Sequence, residues 1–256
     1  GLMGIGVVLM LWKGMPLESW FVALDKNGGI ATLFITVHMM FLPFFYDDYQ
    51  EELKNVAKVY MRSLVPFGIL TFLVAHIFGV LISIGAIALV YELFRKNAEL
   101  YDAEDVFMSL LMRGYCTSGF WSPAWASILV VTTQMKVPWA SIIPWGLAFT
   151  LLLCFVNAFL LRLEIKRKPD KYPVLEPKEG LKVDWKQVYI LVALSLALIL
   201  SILIMSLVTP WDLMIIIPIV STIFPVVIAL IQGHMKNYRE GMQRYLDKSI
   251  VKVRGE

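Results

Sequence analysis

Charge is scarce in this chain. Asp, Glu, Lys and Arg make up 17% of its 256 residues, against about 25% in a soluble domain. That shortage excludes an ordinary water-soluble globule. Cysteine is also rare, with two in all. Cys116 and Cys154 both fall inside apolar stretches, without a CxxC partner or a histidine at metal-ligand spacing. A disulfide framework and a zinc site are therefore not expected. Residues 1–12 are apolar but lack the basic flank and small-residue cleavage site of a signal peptide. Catalytic motifs are missing too: there is no GxSxG, HExxH, Walker lysine or paired carboxylate in a cavity-like setting. The reading is that the chain is not an enzyme. The net charge of +3 is small and does not call for nucleic acid.

Apolar residues are plentiful. They make up 59% of the chain, and the mean hydropathy is +0.71. This is the composition of an all-α integral membrane protein, because only helices or closed barrels satisfy their backbone in lipid. A span needs roughly 20 apolar residues. The candidates are 1–12, about 28–46, about 64–93, about 105–135, 139–161, 188–208 and 211–232. The third carries Pro66, Gly68, Gly79 and Gly85, and the fourth Gly114, Gly119 and Pro123. Both exceed one span and are expected to bend or break at these residues.

Basic residues set the orientation. The loop 162–186 holds Arg162, Lys166, Arg167, Lys168, Lys171, Lys178, Lys182 and Lys186, whereas the turn 208–210 holds none. The loop and the basic tail after 232 belong in the cytoplasm, and the turn lies outside. A repeat emerges from this arrangement. Two apolar segments plus an acidic connector (YDDYQEELKNVAK) are matched by two more plus a basic connector (GHMKNYREGMQRYLDK). Tyr49-x-Glu51 aligns with Tyr238-x-Glu240. Five crossings separate the copies, so the second is inverted, a common transporter design. The expected organisation is a first transmembrane repeat at 1–162, of about five spans with a broken helix at 105–135. A cytoplasmic linker follows at 163–187, and the second, inverted repeat begins at 188–256. Ends at Gly1 and Glu256 suit a piece of a longer carrier; if the 256 residues are the whole, a homodimer would complete it.

The stretch 116–123, CTSGFWSP, holds the candidate site. Cys116, Thr117, Ser118 and Gly119 are expected to end one half-helix, with Ser122 capping and Pro123 opening the next. Such a break aims a positive helix end at an anion and a carbonyl end at a sodium ion. A packed proline kink is the plainer alternative. Arg113 lies about 12 Å inside the segment by helical rise. It either faces a substrate or snorkels to the headgroups. His38 and His76 are candidate proton relays, or neutral histidines bonded to neighbouring helices. Asn157, Thr132, Thr133 and Gln134 could bond substrate or cement helix packing.

The hairpin tip and broken helix around CTSGFWSP resemble carriers of the ion-transporter superfamily, which includes citrate, gluconate and dicarboxylate permeases and some sodium/proton antiporters. The resemblance implies two inverted repeats, each with a hairpin and a discontinuous helix meeting at the substrate. It implies a coupled carrier in the cell membrane that moves a small organic anion with a coupling sodium ion or proton and needs no other cofactor. Where some carboxylate carriers have Ser-Asn-Thr, this chain has Cys116-Thr117-Ser118. A cation/proton antiporter using Asp47, Asp48 or a histidine, and a non-transporting scaffold subunit, are the competing readings. The loop charges yield a first prediction. In a cysteine-free background, an impermeant thiol reagent added to intact cells should label a cysteine placed at Val208–Pro210. It should not label one at 166–182; labelling there would overturn the orientation.

Overall fold

A computed structural model describes residues 2–16, 18–20, 32, 36, 39–45, 49–168, 170–175 and 182–254. His38, Asp47, Asp48 and most of the second expected span lie outside the described residues. The described part is helical throughout, with no strand among the described residues. In chain order it contains α1 (Leu2–Trp12), a 3₁₀ segment (Met39–Phe45), α2 (Tyr49–Tyr60), α3 (Leu64–Ile82) and α4 (Gly85–Leu100). These are followed by α5 (Glu104–Ser118), α6 (Ala126–Met135), α7 (Trp139–Arg167), α8 (Trp185–Val208), α9 (Leu213–Gln232) and α10 (Met235–Arg254). Helices α3, α7, α8 and α9 are long and apolar enough to cross a membrane. The all-helical membrane class read from composition agrees with this set.

Both overlong apolar segments resolve into pairs. The stretch about 64–93 becomes the hairpin α3–α4, which reverses at Ser83 with φ of 50°. The stretch about 105–135 becomes α5, a non-helical passage at 119–125, and α6. The discontinuous helix expected there is present, but its second half starts at Ala126, not at Pro123. Ser122 is not its N-cap; Trp125 takes that place with extended dihedrals. Ser122 keeps a cap-like bond, its hydroxyl oxygen accepting from the Ala124 N–H, but the extended backbone of Trp125, whose ring N–H reaches the Gly79 carbonyl, delays the helix to Ala126.

Helix α3 is the centre of the bundle. Of its apolar window, 61% is buried in protein, against 22% for α7 and 28% for α8, so the latter two present most of their surface outward. On α8 the exposed Val192, Leu196, Leu200 and Ile204 recur every four residues, opposite the buried Leu191, Leu194, Leu198 and Ile202. An outward stripe that is itself apolar suits lipid and not water.

Helices α3 and α5 run parallel and nearly touch. Leu110 meets Gly68, Gly114 lies against the Phe72 backbone, and Ser118 lies against Gly79. A side chain at Gly114 would collide with the Phe72 carbonyl. Small residues of this kind let membrane helices approach closely enough for dispersion to bind them. At the start of α3, Phe67 stacks on Tyr101 at 5.0 Å and packs against Phe94 and Phe107. The Tyr101 hydroxyl donates to the Met61 carbonyl, so the start of α3, the end of α4 and the start of α5 form one end of the bundle. Gly114→Ala should cost about 1–3 kcal/mol by overpacking. Gly6→Ala, with open space around it, should cost nothing measurable. Thermal unfolding of the purified variants in one detergent checks the contrast.

Candidate functional site

The break after α5 is built by local chemistry. Pro123 has no N–H and cannot continue a helix; the turns Gly119 N to Cys116 O and Ser122 N to Ser118 O wind α5 down before it. The residues of the break then turn inward. The Ser122 hydroxyl donates to the Val80 carbonyl at 2.8 Å and accepts from the Ala124 N–H at 3.1 Å. The Trp125 ring N–H reaches the Gly79 carbonyl at 3.4 Å. Gly79 and Val80 are in the last turn of α3, where the final carbonyls run short of helical donors; the Gly79 carbonyl also accepts the Ser83 N–H at 3.2 Å. The break thus caps α3, and the two interruptions of the chain, at Ser83 and at 119–125, meet at one level.

The other small residues are equally committed. Thr117 and Ser118 donate to the Gly114 and Tyr115 carbonyls of their own helix. Ser118 and Ser122 are 0% exposed and Thr117 is 3% exposed, whereas Cys116 faces outward. Gly119 packs on the Trp125 ring, and Pro123 is buried.

His76 is drawn into the same layer. Its Nδ1 lies 3.0 Å from the Thr117 hydroxyl, and its Nε2 accepts the Trp121 ring N–H at 3.3 Å. An indole nitrogen can only donate, so Nε2 must be the acceptor and Nδ1 carries the proton. Thr117 Oγ1 accepts that proton's bond and passes its own hydrogen to Gly114 O. The Trp139 ring N–H in turn donates to the Trp121 carbonyl at 2.7 Å. A single neutral tautomer satisfies the whole chain of bonds. An apolar cavity of about 170 Å³ lies against His76 and Trp121, with Leu53, Leu191 and Ile199 among its walls.

Arg113 is directed elsewhere. It is exposed, and its Nη1 donates to the Asn157 amide oxygen of α7 at 2.7 Å. Asn157 is 6% exposed and its own NH₂ donates to the Leu153 carbonyl. Together they floor a groove of about 560 Å³ between α5 and α7, with apolar walls that include Leu110 and Leu161. Asp105, Glu164, Arg167 and Lys168 rim it. Glu164 is already held, by Lys168 at 3.4 Å and by the Tyr172 hydroxyl at 3.0 Å. Burial and then the neighbouring Glu164, Asp102 and Asp105 carboxylates push the Tyr172 hydroxyl up to about 12, so it remains a donor at any physiological pH. Among the described residues no carboxylate lies within ion-pairing distance of Arg113.

The structure therefore joins Thr117 to His76, joins Ser122 to the end of α3, and joins Arg113 to Asn157. It does not bring Arg113 to the break: the groove is lined by none of Cys116, Thr117, Ser118, Gly119, Ser122 or Pro123. The link from Trp121 to His76 was not expected from sequence, and no local signal points to it. Asn157 was flagged by its place in an apolar run. No family model matches the chain, and neither a curated protein nor a solved structure is detectably similar to it.

Ser122→Ala should orphan the buried Val80 carbonyl and Ala124 N–H, costing about 1–3 kcal/mol. Ser118→Ala removes only a bond within its own helix and should cost less. Chemical unfolding of both variants in the same detergent decides it; equal, negligible losses would remove the capping role.

Proposed function

We propose that this chain is a secondary transporter of the cell membrane, or a piece of one, that moves a small organic anion coupled to sodium or protons. The Arg113–Asn157 groove is where the anion is held. The observation that carries this reading is a cation in an apolar bundle whose hydrogen-bond partner is a neutral amide. A charge in such a setting costs roughly 2.5–3.5 kcal/mol or more unless it faces a cavity and finds a partner. Asn157 occupies one of the five N–H donors of a guanidinium. The remainder of the fork suits a carboxylate or phosphate, which takes two parallel bonds from it. The apolar walls would carry the rest of a small organic acid.

One further feature supports a carrier. A broken helix beside a helical hairpin is where such proteins build their substrate sites. The inverted-repeat part of the reading gains nothing from the contacts: the Gln232 amide lies on the Tyr49 hydroxyl at 3.3 Å and the Asp184 N–H donates to the Glu52 carboxylate at 2.8 Å, so the acidic helix α2 sits at the end of the bundle that holds the basic linker and the start of the basic tail. One observation favours the scaffold reading instead. The hydroxyls of the break are buried and committed to protein carbonyls, which suits a fixed joint better than a binding tip.

Thermal stabilisation of the purified chain by a panel of small carboxylates, with and without sodium, separates the two, since a scaffold should respond to none. With a responding anion in hand, uptake into proteoliposomes should fall at least tenfold in Arg113→Ala, equivalent to about 1.4 kcal/mol of lost binding. Arg113→Lys should fall less and Asn157→Ala by an intermediate amount. Full activity of Arg113→Lys, with Arg113→Ala impaired only in membrane insertion, would identify a snorkelling residue and sink the proposal.

A further inference from the structure

A second cavity, of about 420 Å³, lies at the other end of α7 from the basic groove, about 30 Å away by helical rise. It is formed where the turn between α6 and α7 meets the turn between α8 and α9. Its lining includes Thr133, Lys136, Trp139, Thr209, Trp211 and Asp212. One ammonium and one carboxylate therefore face one cavity. Neither side chain has an ionic or hydrogen-bonding partner among the described residues, and Asp212 does not cap α9 with its carboxylate.

Two details mark the walls of this cavity. The Thr133 hydroxyl is buried without a partner. Thr132, Thr150 and Thr209 all return theirs to the carbonyl four residues earlier, so the same satisfaction was open to Thr133 and is not used. An unsatisfied buried hydroxyl is uncommon, and being shut off from solvent it lies behind the cavity wall and does not face into it. Lys136 ends α6 in the left-handed region, with φ of 53° and ψ of 36°. That position normally goes to glycine or asparagine, and a lysine there is a strained choice of the sort found where a side chain is needed. The walls are fixed: Trp139 is 2% exposed and tied to the Trp121 carbonyl, while Trp211 stands 46% exposed at the mouth.

We infer that this cavity binds a small zwitterion, a molecule with an ammonium and an acid group a few atoms apart and an apolar body. Asp212 takes the ammonium, which also rests against the Trp211 ring by a cation–π contact. Lys136 takes the acid group, and Val137 with Pro138 and Leu207 covers the body. The volume is at the small end of ligand pockets, which run from about 300 to 1,000 Å³, so the body is a side chain of several carbons. The inference stands apart from the groove and needs no transport to be tested. A free amino acid and a phosphatidylethanolamine headgroup both carry this chemistry.

The test is calorimetric titration of the purified chain in a nonionic detergent with four probes. These are L-phenylalanine, 3-phenylpropionate, 2-phenylethylamine and a short-chain phosphatidylethanolamine. At least one zwitterion should bind, and each single-charge analogue should bind at least tenfold more weakly. Saturation by the amino acid marks a soluble ligand, and saturation by the lipid alone marks a headgroup. Lys136→Gly relieves the left-handed strain, so its unfolding temperature should hold or rise while zwitterion affinity falls at least tenfold. Asp212→Asn should lose a similar factor. Binding by none of the probes, equal binding by charged and zwitterionic probes, or wild-type affinity in either variant would overturn the assignment.

Discussion

Within a bilayer every backbone carbonyl must find a donor inside the protein, and the end of α3 is where this requirement bears hardest. Helix α3 is the most enclosed of the four potential spans, and it stops at Ile82. Its Val80 carbonyl takes the Ser122 hydroxyl, and its Gly79 carbonyl shares the Ser83 N–H with the Trp125 ring. To bring Ser122 and Trp125 there, α5 must lie parallel and close to α3, which the Gly114 and Gly79 contacts permit. The chain must also leave the helix at that level, which Pro123 enforces. The broken helix, the hairpin turn at Ser83 and the tight α3–α5 pairing all meet at this one helix end.

The same layer divides the molecule. On one side is the groove floored by Arg113 and Asn157; on the other, Trp139 forms a wall of the far cavity. Between them the bonds Trp139–Trp121–His76–Thr117 leave no polar atom of the relay free. A fully satisfied buried network is rigid, since loosening one member strands its neighbour without water to replace it. His76 therefore reads here as a structural hub, its two ring nitrogens engaged by Thr117 and Trp121.

Much of this was legible along the chain, and the part that was not has a common cause. Composition and run length suffice for the helical membrane class. Two Gly/Pro-bearing stretches longer than one span read correctly as interrupted, because Pro123 acts on its own neighbours wherever it is placed. The register of the interruption did not follow: Ser122 makes its cap-like bond to the Ala124 N–H, but Trp125 stays extended with its ring N–H on the Gly79 carbonyl, 46 residues away in sequence. The hairpin turn was equally hidden, since it uses Ser83 in a left-handed conformation and not the adjacent Gly85. Arg113 was conspicuous as a charge, while the identity of its partner depended on how α5 and α7 pack. Signals carried by single residues survive translation into structure, whereas signals that depend on a distant partner do not.

That contrast bears on how Arg113 itself is to be understood. A snorkelling arginine keeps its head in the headgroup layer and has no need of a directed bond. Here the head is held at 2.7 Å by Asn157, an amide itself buried and anchored to the Leu153 carbonyl. Fixing an arginine fork costs up to about 2 kcal/mol of side-chain freedom, and a single bond from a charged donor returns about 1.5–3 kcal/mol. The two terms are of the same size. The guanidinium is thus oriented in advance, with most of its donors unused, and a bidentate anion would meet it with that ordering already complete. Pre-orientation without a counter-charge is the feature on which the proposal of an anion at Arg113 rests.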